Sequence, residues 1–117
     1  MPCVLIADDN RQVAEVLRAS LEDAGFEVLT AYSGLAAVAC VEQNEVAVAV
    51  LDVLMPGISG DAVAERLRQI NPKLPVVLMT GGDGAFAAAS GFPVLRKPFA
   101  HEELVETLHR LLPDAGQ

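Results

Sequence analysis

Tryptophan is absent from the 117-residue chain, tyrosine occurs once and phenylalanine four times, so any core must be built from aliphatic side chains. Basic residues are scarce as well: eight Lys and Arg stand against 16 Asp and Glu, a formal net charge of −8. Surfaces that grip nucleic acid or anionic lipid do so with Lys and Arg, which argues against direct binding to nucleic acid or to a membrane. No apolar stretch approaches the roughly 20 residues of a membrane helix. The N-terminus lacks the basic stretch, apolar core and cleavage site of a secretion signal, and a cytoplasmic location is expected. Cys3 and Cys40 are the only cysteines, with no CxxC or His-rich pattern beside them. That speaks against zinc or redox chemistry and for two buried, reduced thiols. No GxxxxGK[ST] loop occurs, so Gly81-Gly82-Asp83-Gly84 reads as a turn rather than a nucleotide cradle.

What is present is an aliphatic chain, 52% hydrophobic, long enough for one domain with a real core; a single domain over 1–117 is expected. Strand-like and helix-like periods alternate. Residues 3–8 read as a strand, and 11–24 as a helix with Val13, Val16, Leu17 and Leu21 on one face. Gly25 stops that helix, where a left-handed residue costs least. A second strand, 26–31, alternates enough to suggest an outer position. Ser33 caps a helix to about Gln43 that carries Leu35, Val38 and Val41 inward. Residues 46–52 form a third strand, apolar on both faces as a central parallel strand should be. Met55-Pro56-Gly57 turns, and Gly60 or Asp61 opens a helix bearing Val63, Leu67 and Ile70. Residues 76–80 make a fourth strand, 85–90 at most a short helix, 92–95 a fifth strand and 100–112 a final helix. Such alternation implies an α/β fold, a doubly wound parallel sheet with helices on both faces. Met55 and Met79 read as core, His101 and His109 as solvent-facing.

In open α/β sheets ligands bind beyond the carboxyl ends of the strands. Asp8, Asp9, Asp52, Thr80 and Lys97 all fall at such ends or just after them. If the first and third strands are neighbours, three carboxylates converge, and their mutual repulsion calls for a hard cation or raised pKa values. All-oxygen ligands favour Mg²⁺ or a similar ion.

With Asp8-Asp9, Asp52, Met55-Pro56-Gly57, Thr80 and Lys97-Pro98 in this order, the chain resembles a response-regulator receiver domain over essentially its whole length. The resemblance implies a flavodoxin-like five-stranded sheet of order 2-1-3-4-5, with the helix between the fourth and fifth strands shortened. It implies a phosphoacceptor switch in a two-component relay rather than an enzyme acting on other molecules. Asp52 would be the phosphoacceptor, because a carboxylate at a strand end can attack a phosphoryl group. Asp9 would ligate Mg²⁺ directly, Asp8 through a water, with Asp52 and the Leu54 carbonyl completing the protein ligands. Lys97 would supply positive charge to the phosphoryl oxygens, Thr80 a hydroxyl, and the Val53 and Gly81 N–H groups further donors. A cis Lys97-Pro98 bond is implied in the same way. The implied phosphodonor is a histidine kinase or a histidine phosphotransfer protein. The run Leu95-Arg96-Lys97-Pro98-Phe99 is also similar to receivers fused to hybrid sensor kinases, which would make the chain one module of a longer protein.

Simpler readings stand beside these. Asp8 or Asp9 could only cap the first helix, Thr80 only cap its loop, and Lys97 could lie along the surface. A Mg²⁺-dependent phosphohydrolase and a vestigial interaction module are the rival functions. Two departures from the family pattern matter. Thr80 and Lys97 are only 17 positions apart, a few fewer than in most receivers. Val94 stands where receivers carry a Tyr or Phe, with Phe92 nearby on the same sheet face. The expectation is that phosphorylation draws Thr80 inward and orders 81–90 instead of turning a ring. Leu54 and Gly82, at positions that govern water access in the family, suggest slow self-dephosphorylation.

Overall fold

The computed structural model describes residues 2–81 and 91–112. Its elements are β1 (Cys3–Ala7), α1 (Arg11–Asp23), β2 (Glu27–Ala31), α2 (Gly34–Gln43), β3 (Val48–Asp52), α3 (Gly60–Ile70), β4 (Val76–Thr80), β5 (Val94–Arg96) and α4 (His101–Leu111). All neighbouring strands pair in parallel, in the order β2-β1-β3-β4-β5. The expected short helix at 85–90 and Gly82 lie outside the described residues.

Side chains alternate across a parallel sheet, and here both faces are covered. Leu5, Leu51 and Leu78 pack with Val38, Val63 and Leu67 of α2 and α3. Ile6, Val50 and Met79 pack on the other side with Leu21 of α1 and Leu104 and Leu108 of α4. Every residue of β3 and β4 is buried, which explains their unbroken apolar runs. At about 1.5–3 kcal/mol for each fully buried aliphatic side chain, this two-sided core fixes the sheet, and the sheet fixes its carboxyl edge.

The structure corrects several expectations. Val16 is 67% exposed and Leu35 is 74% exposed. The inward stripe of α1 runs through Ala14 and Leu21 with Leu17 beside it, and Val16 lies about 100° round the helix from Leu17. In α2 the inward place at the first turn belongs to Gly34, where a Cβ would come within 2.3 Å of Ile58 and 2.7 Å of Val63. That close approach turns Leu35 outward. Ile70 is likewise exposed at the end of α3. β3 starts two residues later than expected, and β5 spans 94–96 rather than 92–95. Pro93 has no N–H to donate; its carbonyl accepts from Leu78 N–H at 2.8 Å, and the strand begins after it. Phe92 and Val94 do share a face, against the α2–α3 layer. Cys3 and Cys40 are unpaired, and both are half-buried rather than buried.

Candidate functional site

Register assembles the site. Ala7 lies beside Leu51 in the β1–β3 ladder, so the next residues, Asp8 and Asp52, leave the sheet together. Thr80 ends β4 opposite Arg96, and Lys97 N–H donates to the Thr80 carbonyl at 2.7 Å. All the strand-end residues singled out in the sequence thus gather on one edge. One carboxylate oxygen from each of Asp8, Asp9 and Asp52 lies within 4.8 Å of the others. Asp8 is 1% exposed and Asp52 8%. Thr80 is also buried, while Asp9 stands exposed at the mouth.

Two buried carboxylates need partners. Asp8 Oδ1 accepts from Asn10 N–H at 2.9 Å and Asp8 Oδ2 from Lys97 Nζ at 3.0 Å. Lys97 Nζ also stands 3.5 Å from Asp52 Oδ2. Asp52 Oδ1 accepts a long hydrogen bond from Leu54 N–H, 3.4 Å. Burial pushes the Asp52 carboxyl up from its ordinary range; Lys97 pulls it down, the Asp8 charge pushes it up again, and Leu54 N–H pulls down weakly. The net direction is up because burial outweighs the help Lys97 gives the charged form. Among the described residues three carboxylates stand against one ammonium, a balance two charges negative, which suits a divalent cation held by oxygen. The donor set therefore fits Mg²⁺, with Asp8, Asp9 and Asp52 as the candidate side-chain ligands.

The geometry also decides between some of the simpler readings. The N-cap of α1 is Asn10, whose side chain accepts from Gln12 N–H at 3.1 Å and Val13 N–H at 3.2 Å; neither Asp8 nor Asp9 caps it. Lys97 points into the pocket rather than along the surface, and its bond to Pro98 is cis. Val53 N–H is not free to donate to a ligand: it bonds the Met79 carbonyl at 2.9 Å and extends the sheet ladder by one residue. Leu54 supplies the N–H that faces Asp52, and its side chain is exposed. His101 and His109 are exposed as expected, though His101 meets Ser20 and His109 stacks against Phe26.

Sequence reasoning missed two residues. Asn10 was hidden behind two acids that are equally good caps. Gly60 presses the start of α3 onto the backbone of Asp52: a Cβ there would fall 2.2 Å from the Asp52 carbonyl oxygen, and Gly60 N–H donates to the Val53 carbonyl at 2.9 Å. A glycine at a helix start was its only signal.

Comparison with known proteins agrees with this geometry. Residues 4–109 match the response regulator receiver domain family. The chain is 38% identical, over 97% of its length, to the probable transcriptional regulatory protein TcrX of Mycobacterium tuberculosis, and covers 50% of that protein; it spans about half the length of the curated relatives it matches. Among solved structures, the Vibrio cholerae chemotaxis protein CheY4 is 30% identical, with a TM-score of 0.90 over 96% of this chain and 99% of that one. The Thermotoga maritima response regulator TrrA, solved in complex with Mg²⁺-BeF, is 29% identical, with a TM-score of 0.87 over 96% of this chain and 100% of that one. A matching sheet order, an acidic strand-end pocket and relatives that cover nearly every residue lead to one assignment: this chain belongs to the response-regulator receiver domains of two-component signalling.

Proposed function

We propose that the chain, as one receiver domain over 1–117, takes a phosphoryl group onto Asp52 from a phospho-histidine of a histidine kinase or histidine phosphotransfer protein in the cytoplasm. The observation that carries this reading is Lys97 Nζ at 3.0 Å from Asp8 and 3.5 Å from Asp52, a positive charge held beside the carboxylate that would accept the phosphoryl group. An Asp52 oxygen forms the bond to phosphorus as the bond to the partner's imidazole nitrogen breaks. Lys97 then exchanges Asp52 for a phosphoryl oxygen, and Leu54 N–H, which already faces Asp52, can donate to another; the Thr80 hydroxyl, at the end of β4 on the same edge, is a further candidate donor. Asp9, Asp52 and the Leu54 carbonyl, with Asp8 through a water, would hold Mg²⁺, which would supply charge to screen Asp52 from the donor and to offset charge on the transferring group. The exposed Asp9 and Leu54 at the mouth suit a site reached by a partner's imidazole.

The added phosphoryl charge, about −1.5 to −2 by analogy with phosphate monoesters, would bias a distal surface toward one of two conformations. The net charge of −8 supports an output through protein contact rather than DNA contact by this domain. Relatives named as transcriptional regulators support a downstream step in gene regulation. The reading is a stoichiometric acceptor with slow self-dephosphorylation, not a phosphohydrolase. Incubation with a radiolabelled phospho-histidine donor and Mg²⁺ tests it. Labelling should stop at one phosphoryl per chain and vanish in Asp52→Asn. Stable label on that variant, or steady turnover of small phosphomonoesters, would overturn the assignment.

A further inference from the structure

Arg11 opens α1 two residues after Asp9, the exposed member of the acidic cluster. The two side chains carry opposite charges, and among the described residues Arg11 makes no ion pair. Its guanidinium carbon lies instead 4.3 Å over the centroid of the Tyr32 ring. That ring is well fixed. Tyr32 follows Ala31, whose carbonyl accepts from Asp8 N–H at 3.0 Å, so it is tied by the backbone to the pocket itself. Its hydroxyl donates to Glu15 Oε1 at 3.1 Å, Glu15 is held in turn by Arg18, and the ring packs against the core layer beneath α1.

We propose that Tyr32, the only tyrosine of the chain, is a positioning residue that holds Arg11 away from the carboxylates and so keeps Asp9 open to a divalent cation. The inference rests on the metal reading above. A cation near the surface of an aromatic ring is stabilised about as much as an exposed ion pair, so the half-buried Tyr32 ring can compete with Asp9 alone. Once the ring is removed, nothing opposes the pull of a pocket two charges negative, and Arg11 turns to Asp9. A divalent cation must then displace it. By reciprocity, a cation in the pocket repels Arg11 and strengthens its seat on the ring.

The test is Mg²⁺ titration of the intact chain by calorimetry, with melting temperature against Mg²⁺ concentration as a second readout. Tyr32→Leu should raise the half-saturating Mg²⁺ concentration about threefold to tenfold. Tyr32→Phe, which keeps the ring, should shift it much less. Arg11→Gln should bind Mg²⁺ at least as tightly as wild type, and adding Tyr32→Leu to it should change nothing further. If Tyr32→Leu weakens binding equally with Gln at position 11, the ring acts through the fold and the proposal fails; it fails too if Tyr32→Leu binds like wild type. Absence of saturable Mg²⁺ binding by wild type would overturn the metal reading itself, and this inference with it. Should Tyr32→Leu not fold, the Arg11 methylene protons of wild type decide. Ring-current shifts that persist or grow with Mg²⁺ support the proposal, and their absence overturns it.

Discussion

Asp52→Asn should stabilise the metal-free protein. At an effective dielectric of about 20, the attraction of Lys97 for Asp52 at 3.5 Å is about 5 kcal/mol, and the repulsion from Asp8 within 4.8 Å is about 3 kcal/mol or more. The repulsion offsets most of the attraction, and the desolvation of a carboxylate that is only 8% exposed, the largest influence on it, outweighs what is left and opposes the charge. Asn keeps the shape and the oxygen that accepts from Leu54 N–H, and Lys97 keeps Asp8. The gain should be about 2 kcal/mol, the middle of the range for a buried group short of partners. At about 2.1 cal/mol/K per residue, that is a rise of ~8 °C in Tm. Because the folded pKa lies above the unfolded value of 3.8, the unfolded chain releases its proton first as pH rises. The wild-type penalty is therefore absent below that value, grows as pH climbs through the folded pKa, and is complete beyond it. Thermal melts in EDTA across this pH range should show the gap between variant and wild type opening from acid toward neutral. Mg²⁺ at ten times its half-saturating concentration should return about 1.4 kcal/mol to wild type and less to the variant. An Asn variant that melts below wild type in EDTA at neutral pH, or a gap indifferent to pH, would refute the reasoning.

Lys97→Met should destabilise the metal-free chain by about 3 kcal/mol, because Asp8 loses the one cation paired with it among the described residues while remaining buried; denaturant melts would show the loss, and Mg²⁺ should recover part of it. Gly60→Ala should cost about 1–3 kcal/mol as the new Cβ displaces the Asp52 backbone. The same variant should weaken Mg²⁺ binding measured by calorimetry, and unchanged affinity would mean that α3 yields without moving Asp52.

Fold and site were legible to different depths. The strand ends could be read because β3 and β4 are buried on both faces, so their apolar runs stop sharply at Asp52 and Thr80. Asp8, Asp9 and Lys97 then fell into place from the parallel alternation. Helix faces were less legible. Leu35 and Val16 are apolar, and periodicity alone could not tell that Gly34 and Ala14 held the inward places. At Gly34 close approach to Ile58 and Val63 decided the position, and it leaves no mark in a hydrophobic pattern. The same limit hid Gly60. The Val53 donor was misassigned because the ladder runs one residue past the end of β3, a matter of hydrogen bonding rather than composition.

The ion pair between Lys97 and Asp8 joins residues 89 apart in sequence. A contact of that span closes only after most of the chain has been ordered, since the entropy of so large a loop must be overcome before it forms. No nascent or truncated chain ending before Lys97 can own this pocket. The ammonium that steadies the two buried carboxylates thus arrives only after the last strand of the sheet, β5, has been made.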